Sequence, residues 1–376
     1  MARSYLDMAR LDYASISDYY DALHGLAGGE AAFFDASLEG LIVTTFDDCA
    51  HVLTGADFTK SDMNGGSANN ASELDAVMQS HFAAAGNSAA PRRRYWARRA
   101  STVSIDDLER LASELLGQVE DTTFDLNRDV LRPYVLRAAL LANGIRVEPS
   151  DVAASLDVYV GYLDGRSDGG TLFEVYRAYI RLLTVLIAAE PYDGENLSTH
   201  GYQSPQEWVV DMAFVLAAAQ ESNAFLMGSI LAAAQWSGVD LAQHDMDLVI
   251  QEGLRFDSPV QLVGRYAGRD TLVAGTSVAA GTRVFCHIGL ANRDPARFSD
   301  PGRFDPGRPE ARDALAFGAG RWACIGQGVA RTQARIMLAA LLARRATLSI
   351  AGLRYGNATA AREFRVLPCI LARPHQ

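Results

Sequence analysis

Residues Phe317 to Gln327 read FGAGRWACIGQ, a glycine-rich stretch that gives way to a helical run near Gly326. A cysteine at such a helix edge meets free backbone N–H groups and the positive end of a helix dipole, and both favour thiolate over thiol. Gly318, Gly320 and Gly326 allow unusual backbone angles and let a flat, bulky ligand come close to Cys324. A buried structural cysteine in a tight turn has the same local pattern, so these residues alone leave both readings open.

The rest of the chain sets bounds. Its 376 residues are 49% hydrophobic and 21% charged, which is ordinary globular composition with enough apolar material for a substantial core. A formal charge of −11 argues against a surface built to neutralise phosphates, so no nucleic-acid partner is expected. Of the 34 basic residues only Lys60 is a lysine, which with the alanine richness points to a GC-rich bacterial genome. Met1 to Arg10, MARSYLDMAR, lacks the apolar core of a signal peptide and the long run of a membrane anchor, and predicts a cytoplasmic protein with no membrane partner. Cys49, Cys286, Cys324 and Cys369 are scattered without CxxC spacing, so neither a zinc site nor a disulfide framework is indicated. The histidines show no HxxxH or HExxH spacing, and His81 and His287 read as ordinary polar residues.

Helical periodicity dominates. Leu108 to Leu116, Asp129 to Ala142, Leu172 to Ala189 and Gly328 to Ala343 carry apolar residues at helical spacing. A long helix is predicted from Ser204, where Ser-Pro-Gln-Glu supplies a capping serine, a proline at the first helical position and Glu207 for a capping box, and it runs to about Trp236. Its stretch Trp208 to Ala219 is apolar nearly all round, as in a helix buried through the protein centre, until Gln220, Glu221, Ser222 and Asn223 interrupt it. Those four form either a hydrogen-bonded structural kink or a polar notch facing a cavity. Thr271 to Ile288 alternates like strands around Gly275 and Gly281, which places a small sheet late in the chain, and Ala291 to Arg308 is too rich in Pro, Gly and Asp for a regular element. Ser61 to Asn70 and Gly165 to Gly170 read as loops rather than domain boundaries. One mainly α domain spanning 1–376, with a small β-rich lobe, is expected.

The cysteine stretch resembles the haem-thiolate loop of cytochromes P450, Phe-Gly-x-Gly-x-(His or Arg)-x-Cys-x-Gly, with Cys324 at the ligand position to haem b iron and Phe317, Gly318, Gly320 and Gly326 matching. In that family the thiolate pushes electron density onto the iron. Trp322 departs from the pattern, standing where a His or Arg contacts a haem propionate. Glu252 and Arg255 resemble the family's Glu-x-x-Arg helix, which with Arg308 in FDPGR implies a buried structural network. Ala218 to Asn223, AAQESN, resembles the oxygen-binding notch, with Glu221 at the acid position, Ser222 in place of the usual threonine and Ala219 in place of glycine. Arg265 falls where a propionate-binding arginine is expected, and Arg92 to Arg99, RRRYWARR, resembles the helix near the other propionate, with Arg94 and Arg98 one turn apart; a solvated basic face and a docking patch for an acidic electron carrier are equal readings of that segment.

The resemblance covers the C-terminal half in four ordered motifs, Ala218 through Cys324, and implies a helical prism with a β-rich lobe. It also implies a monooxygenase that takes electrons from a separate ferredoxin and reductase, splits O₂ on haem and oxidises a small organic molecule, plausibly in bacterial secondary metabolism. Glu221 and Ser222 would handle protons. Phe214, Ala217, Ala218, Val260, Gln261 and parts of Asp62 to Ala90 would wall the pocket of what is expected to be a monomer. Aryl coupling, desaturation and peroxide-driven oxidation are alternative reactions, and a non-catalytic helper of the same fold is a third possibility, against which Cys324 speaks.

Overall fold

Ser204 starts the longest helix: its Oγ accepts from Glu207 N at 3.4 Å, Pro205 follows with its preset φ, and Gly238 ends the helix in the left-handed conformation at φ 68°. The 33 residues between span about 50 Å at 1.5 Å per residue, enough to cross the whole protein. The predicted capping box forms only in part, because the Glu207 carboxylate takes Gln203 N and Arg92 instead of the Ser204 backbone.

The computed structural model describes residues 4–9, 11, 13, 15–60, 89–119, 123–163, 171–189, 197–356 and 359–372. The two glycine-rich loops, His81, and nearly all of the expected pocket wall at Asp62 to Ala90 lie outside those residues. In chain order the helices are α1 Tyr5–Ala9, α2 Ile16–Ala27, α3 Phe46–Thr54, α4 Ala89–Ala100, α5 Ile105–Gln118, α6 Arg132–Ala142, α7 Pro149–Leu163, α8 Leu172–Ala188, α9 Pro205–Ser237, α10 Met246–Phe256, α11 Ile288–Ala291 and α12 Gln327–Ala343. The segments with helical periodicity all lie in helices.

The first two strands, β1 Ala32–Asp35 and β2 Gly40–Val43, carry no signal noticed in the sequence, and they correct the placement of the sheet as a late element. With β3 Phe58–Thr59, β5 Leu262–Ala267 and β8 Arg283–His287 they form the main sheet, in the order β1-β2-β8-β5-β3, so that it is built from early and late parts of the chain, while β4 Phe124–Asp125 and the hairpin of β6 Thr271–Val273 and β7 Thr276–Val278 lie outside it. β2 pairs with β8 in parallel, Leu41 opposite Val284, which burial on both faces permits. Short strands near the C-terminus complete the β-rich lobe.

Packing divides α9 into two halves. Trp208 to Ala217 joins one apolar cluster with α4, α7 and α8, and Ala224 to Ala234 joins another with α5, α6 and α10. Residues 218–223, the predicted notch, fall between the two. α9 is long and apolar enough to cross a membrane, but most of that apolar surface is buried against its own protein.

Candidate active site

The cysteine loop is a folded turn whose glycines are needed for different reasons. Gly318 sits at φ 66°, ψ −171°, a region open essentially to glycine alone. Gly320 has φ 68°, and a Cβ there would lie 2.9 Å from the Leu53 carbonyl oxygen and 3.0 Å from Thr54 Cα, so the loop is pressed against the end of α3. Cys324 N donates to Phe317 O at 2.8 Å and closes the turn, and Gly326 N donates to Cys324 Sγ at 3.3 Å. Gly320→Ala is expected to destabilise the fold by about 1–3 kcal/mol and reduce haem content, read by thermal unfolding and the haem-to-protein absorbance ratio.

Cys49, Cys286 and Cys369 are buried, whereas Cys324 has an exposed surface. Crowding by protein pushes the Cys324 thiol above its ordinary value, and the Gly326 N–H, Arg93, Lys60 and the Gln327 N–H pull it back. The cations come from three directions. Arg93 on α4 donates to Ala323 O at 2.6 Å, Lys60 Nζ stands 5.2 Å from the Trp322 ring, and exposed Arg321 anchors to Phe58 O at 3.0 Å. Arg265 is buried, and among the described residues neither its Nε nor the Trp322 Nε1 has an acceptor. Burial, with repulsion from Arg265 and Arg93, holds Lys60 down to about 8.

The arginine that α4 sends to the loop is therefore Arg93, not Arg94 or Arg98, which are exposed. The reason is helix rotation: buried Tyr95 and Trp96 pin α4 to its core, and this turns residue 93 toward the loop. Arg92 points elsewhere, to Glu207 at 2.6 Å and Asp211 at 3.8 Å. Composition singled out Lys60 as the lone lysine, but nothing local showed where it points.

α9 opens one face. Phe214, Val215, Ala218, Ala219 and Ser222, a stripe at helical spacing, retain exposure in a helix whose next turns are wholly buried. Ile325, beside Cys324, packs on the apolar cluster to which Leu216 and Ala217 also belong. Ser222 Oγ donates back to Ala218 O at 2.8 Å. The other notch residues turn away from the stripe. Glu221 pairs with Arg132 at 2.7 Å, Arg132 also contacts Asp157 of α7, the Gln220 amide oxygen faces Arg132 at 3.0 Å, and Asn223 donates to Gln333 at 2.6 Å. The polar interruption thus divides by residue: Ser222 is partly open, and its three neighbours tie α9 to α6 and α12.

Two expected pocket residues are corrected. Ala217 is buried in the apolar cluster, one helical step from the open Ala218. Gln261 is buried and bonded to Ser258 O at 2.6 Å, with Tyr19 and Tyr20 also in reach, because a carboxamide in the core must find partners. Val260 and Phe214 remain partly exposed.

Behind the loop, all five guanidinium N–H groups of Arg255 are used. They reach both carboxylate oxygens of Glu252 at 2.7 and 2.8 Å and the carbonyls of Asn292, Pro301 and Arg303. Arg308 Nε stands 3.5 Å from the same carboxylate and its other nitrogens bind the Ser299 and Asp300 carbonyls. The network continues through Asn292, whose side chain donates to Ser258 and accepts from Leu315 N at 2.7 Å, two residues before Phe317. Asn292 gave no sequence signal. His287 is a neutral cap for α11, its Nδ1 accepting from Leu290 N, and burial holds it down to about 3.

A soft sulfur with open surface, a stripe of small side chains on the neighbouring helix and a cup of cations with unpartnered N–H donors fit a flat, dianionic metal macrocycle. Cys324 would hold the iron of a haem, and Lys60, Arg93, Arg265 and Trp322 would hold its two propionates. These features fit a haem-thiolate type of site. A sequence model of cytochrome P450 matches residues 245–346. A cytochrome P450 of Mycobacterium tuberculosis is 43% identical over 118 residues, 31% of this chain and 26% of its own length, and the biotin biosynthesis cytochrome P450 of Bacillus subtilis is 37% identical over 102 residues, 26% of its length. These matches thus span about a quarter of each relative. Over the whole fold, cytochrome P450epoK bound to epothilone D superposes with a TM-score of 0.81 at 21% identity, covering 96% of this chain and 98% of that one. A Mycobacterium smegmatis cytochrome P450 without ligand gives 0.77 at 23% identity, covering 98% of both chains. The chain has the cytochrome P450 fold, and its residues 245–346 match that family's sequence model.

Proposed function

We propose that the protein is a cytoplasmic, monomeric haem-thiolate monooxygenase that oxidises a small organic molecule with electrons from a separate ferredoxin and reductase. The observation that carries this reading is the exposed Cys324 sulfur in a glycine-rich loop flanked by Arg93 and Lys60, with the adjoining Ile325 packed on the apolar cluster that the first half of α9 shares. Haem, when bound, supplies the activation of dioxygen. Cys324 would hold the iron and donate electron density to it, and Lys60, Arg93, Arg265 and Trp322 would fix the propionates. Phe214, Ala218 and Val260 would press on the substrate's apolar parts. The fold accommodates a molecule as large as epothilone D in the neighbour described above, which supports a secondary metabolite as substrate.

Ser222 holds a proton at Oγ, now given to the Ala218 carbonyl, and rotation about χ1 turns that proton toward the cavity. Glu221 can resupply it only after leaving Arg132, so proton delivery is coupled to the contacts that Arg132 makes with α7. The test joins two measurements. Reduced protein under carbon monoxide should show the strongly red-shifted Soret band of thiolate ligation, and its absence would overturn the reading. Ser222→Ala should fold normally yet lose about 10²-fold in product formed per turnover of reductant, with peroxide released instead. Unchanged coupling would point to chemistry that needs no proton at this position, such as aryl coupling or desaturation.

A further inference from the structure

Next to the cysteine loop, four large redox-active rings lie buried between α4 and the start of α9. Tyr95, Trp96, Tyr202 and Trp208 are each less than 5% exposed. Ring centroids lie 5.1 Å apart for Trp96 and Trp208, 5.2 Å for Tyr95 and Trp96, and 6.1 Å for Tyr95 and Tyr202. Hydrogen bonds join them a second time: Trp96 Nε1 donates to Tyr202 Oη and Trp208 Nε1 to Tyr95 Oη, each at 2.7 Å. Arg93, three residues before Trp96 on α4, donates to Ala323 O beside Cys324 at 2.6 Å, and Ile325 packs on the larger apolar cluster that includes the rings. Toward the surface, Tyr95 lies against His200 at 4.7 Å.

Ordinary core packing asks only for apolar bulk, yet Tyr202 donates its own hydroxyl proton to a wholly buried carboxylate, Asp211 Oδ2, at 2.7 Å. Loss of an electron turns a phenol into a strong acid, so a tyrosine already bonded to a base gives up electron and proton together. Tyr95 is placed differently: its oxygen accepts from the Arg99 guanidinium at 2.9 Å, which opposes loss of an electron there. Arg92 stacks 4.3 Å from the Tyr202 ring, but Glu207 at 2.6 Å and Asp211 at 3.8 Å offset its charge.

We propose that these rings form a path by which an oxidising equivalent leaves the Cys324 site when no substrate consumes it, ending on Tyr202 with Asp211 as proton acceptor. The inference rests on the oxidative chemistry proposed above. The oxidant is the haem group after reaction with hydrogen peroxide, or with dioxygen and reductant. It gains one electron through Trp96, Tyr202 loses that electron, and the phenolic proton passes to Asp211, leaving a neutral tyrosyl radical and a neutral carboxylic acid. A second electron from the external donor and the returning proton restore the phenol.

The test mixes haem-loaded, substrate-free protein with hydrogen peroxide and follows tyrosyl radical by electron paramagnetic resonance and haem loss by Soret bleaching. Wild type should give the radical. Tyr202→Phe should abolish it and bleach severalfold faster, and Asp211→Asn, which keeps the side-chain shape, should slow its formation severalfold. A parallel arm needs no haem. Cys324 is the one exposed cysteine, so a thiol-reactive ruthenium photo-oxidant attached there in the full chain should, on flash oxidation, place the radical on Tyr202. Equal radical yield and bleaching in wild type and Tyr202→Phe overturn the path, as does no radical in either arm. A flash-generated Tyr202 radical in a protein that shows no thiolate-ligated haem supports the path and counts only against the monooxygenase reading.

Discussion

Arg255→Ala should leave almost no soluble, haem-loaded protein. The substitution strands the Glu252 carboxylate in a site where neither residue has solvent contact, and it removes the donors to three backbone carbonyls in the coil before the cysteine loop. Breaking a buried pair from one side costs about 3–5 kcal/mol, a large fraction of the ~5–15 kcal/mol that holds a typical domain folded. Arg308 cannot compensate, since its nearest approach to Glu252 is 3.5 Å and its other nitrogens are bound to carbonyls. The measurement is soluble yield and thermal unfolding beside wild type, with Arg255→Lys as companion. Lysine restores the charge without the planar fork, so it should recover folding in part and remain well below wild type. Wild-type yield and melting temperature in Arg255→Ala would show that the coil is held by something else.

Cys324→Ser should do the opposite, sparing the fold and removing the chemistry. The Cys324 sulfur has open surface and receives only weak hydrogen bonds, from the Gly326 and Gln327 N–H groups, so the exchange of sulfur for oxygen should shift stability by no more than about 0.5 kcal/mol. The hydroxyl is not ionised at neutral pH and is a poor partner for iron. The reduced carbonmonoxy band should therefore move from the thiolate position to that of neutral or histidine ligation, and monooxygenase turnover should fall below detection. Cys49→Ser, Cys286→Ser and Cys369→Ser should leave the band in place, because those thiols are buried away from the loop. A red-shifted band surviving in Cys324→Ser would remove Cys324 from the ligand position. The two substitutions together separate the network that positions the loop from the atom the loop presents.

Much of this architecture can be read along the chain because it depends on near neighbours. The capping serine, the proline and the left-handed glycine of α9 act within one turn of their own backbone, and Glu252 and Arg255 meet because residues three apart share a helical face. The glycines around Cys324 likewise follow from local conformation. Four-residue strands with little alternation, such as β1 and β2, carry almost no periodic signal; they exist as strands through pairing with each other and, for β2, with β8 some 240 residues away.

The sequence alone determined the residue types of the site and their order: a cysteine in a glycine-rich loop, a long buried helix with a hydroxyl in its polar interruption, and an acid-base pair behind them. Only the tertiary structure decided which members of each group face one another. It turned Arg93 rather than Arg94 or Arg98 to the loop, sent Gln261 into the core, gave Glu221 to Arg132, joined Lys60 to Trp322 and set Tyr202 on Asp211. The physical reason is that spacing along a helix or strand specifies which side chains share a face, whereas the direction of that face is set by burial against partners distant in the chain.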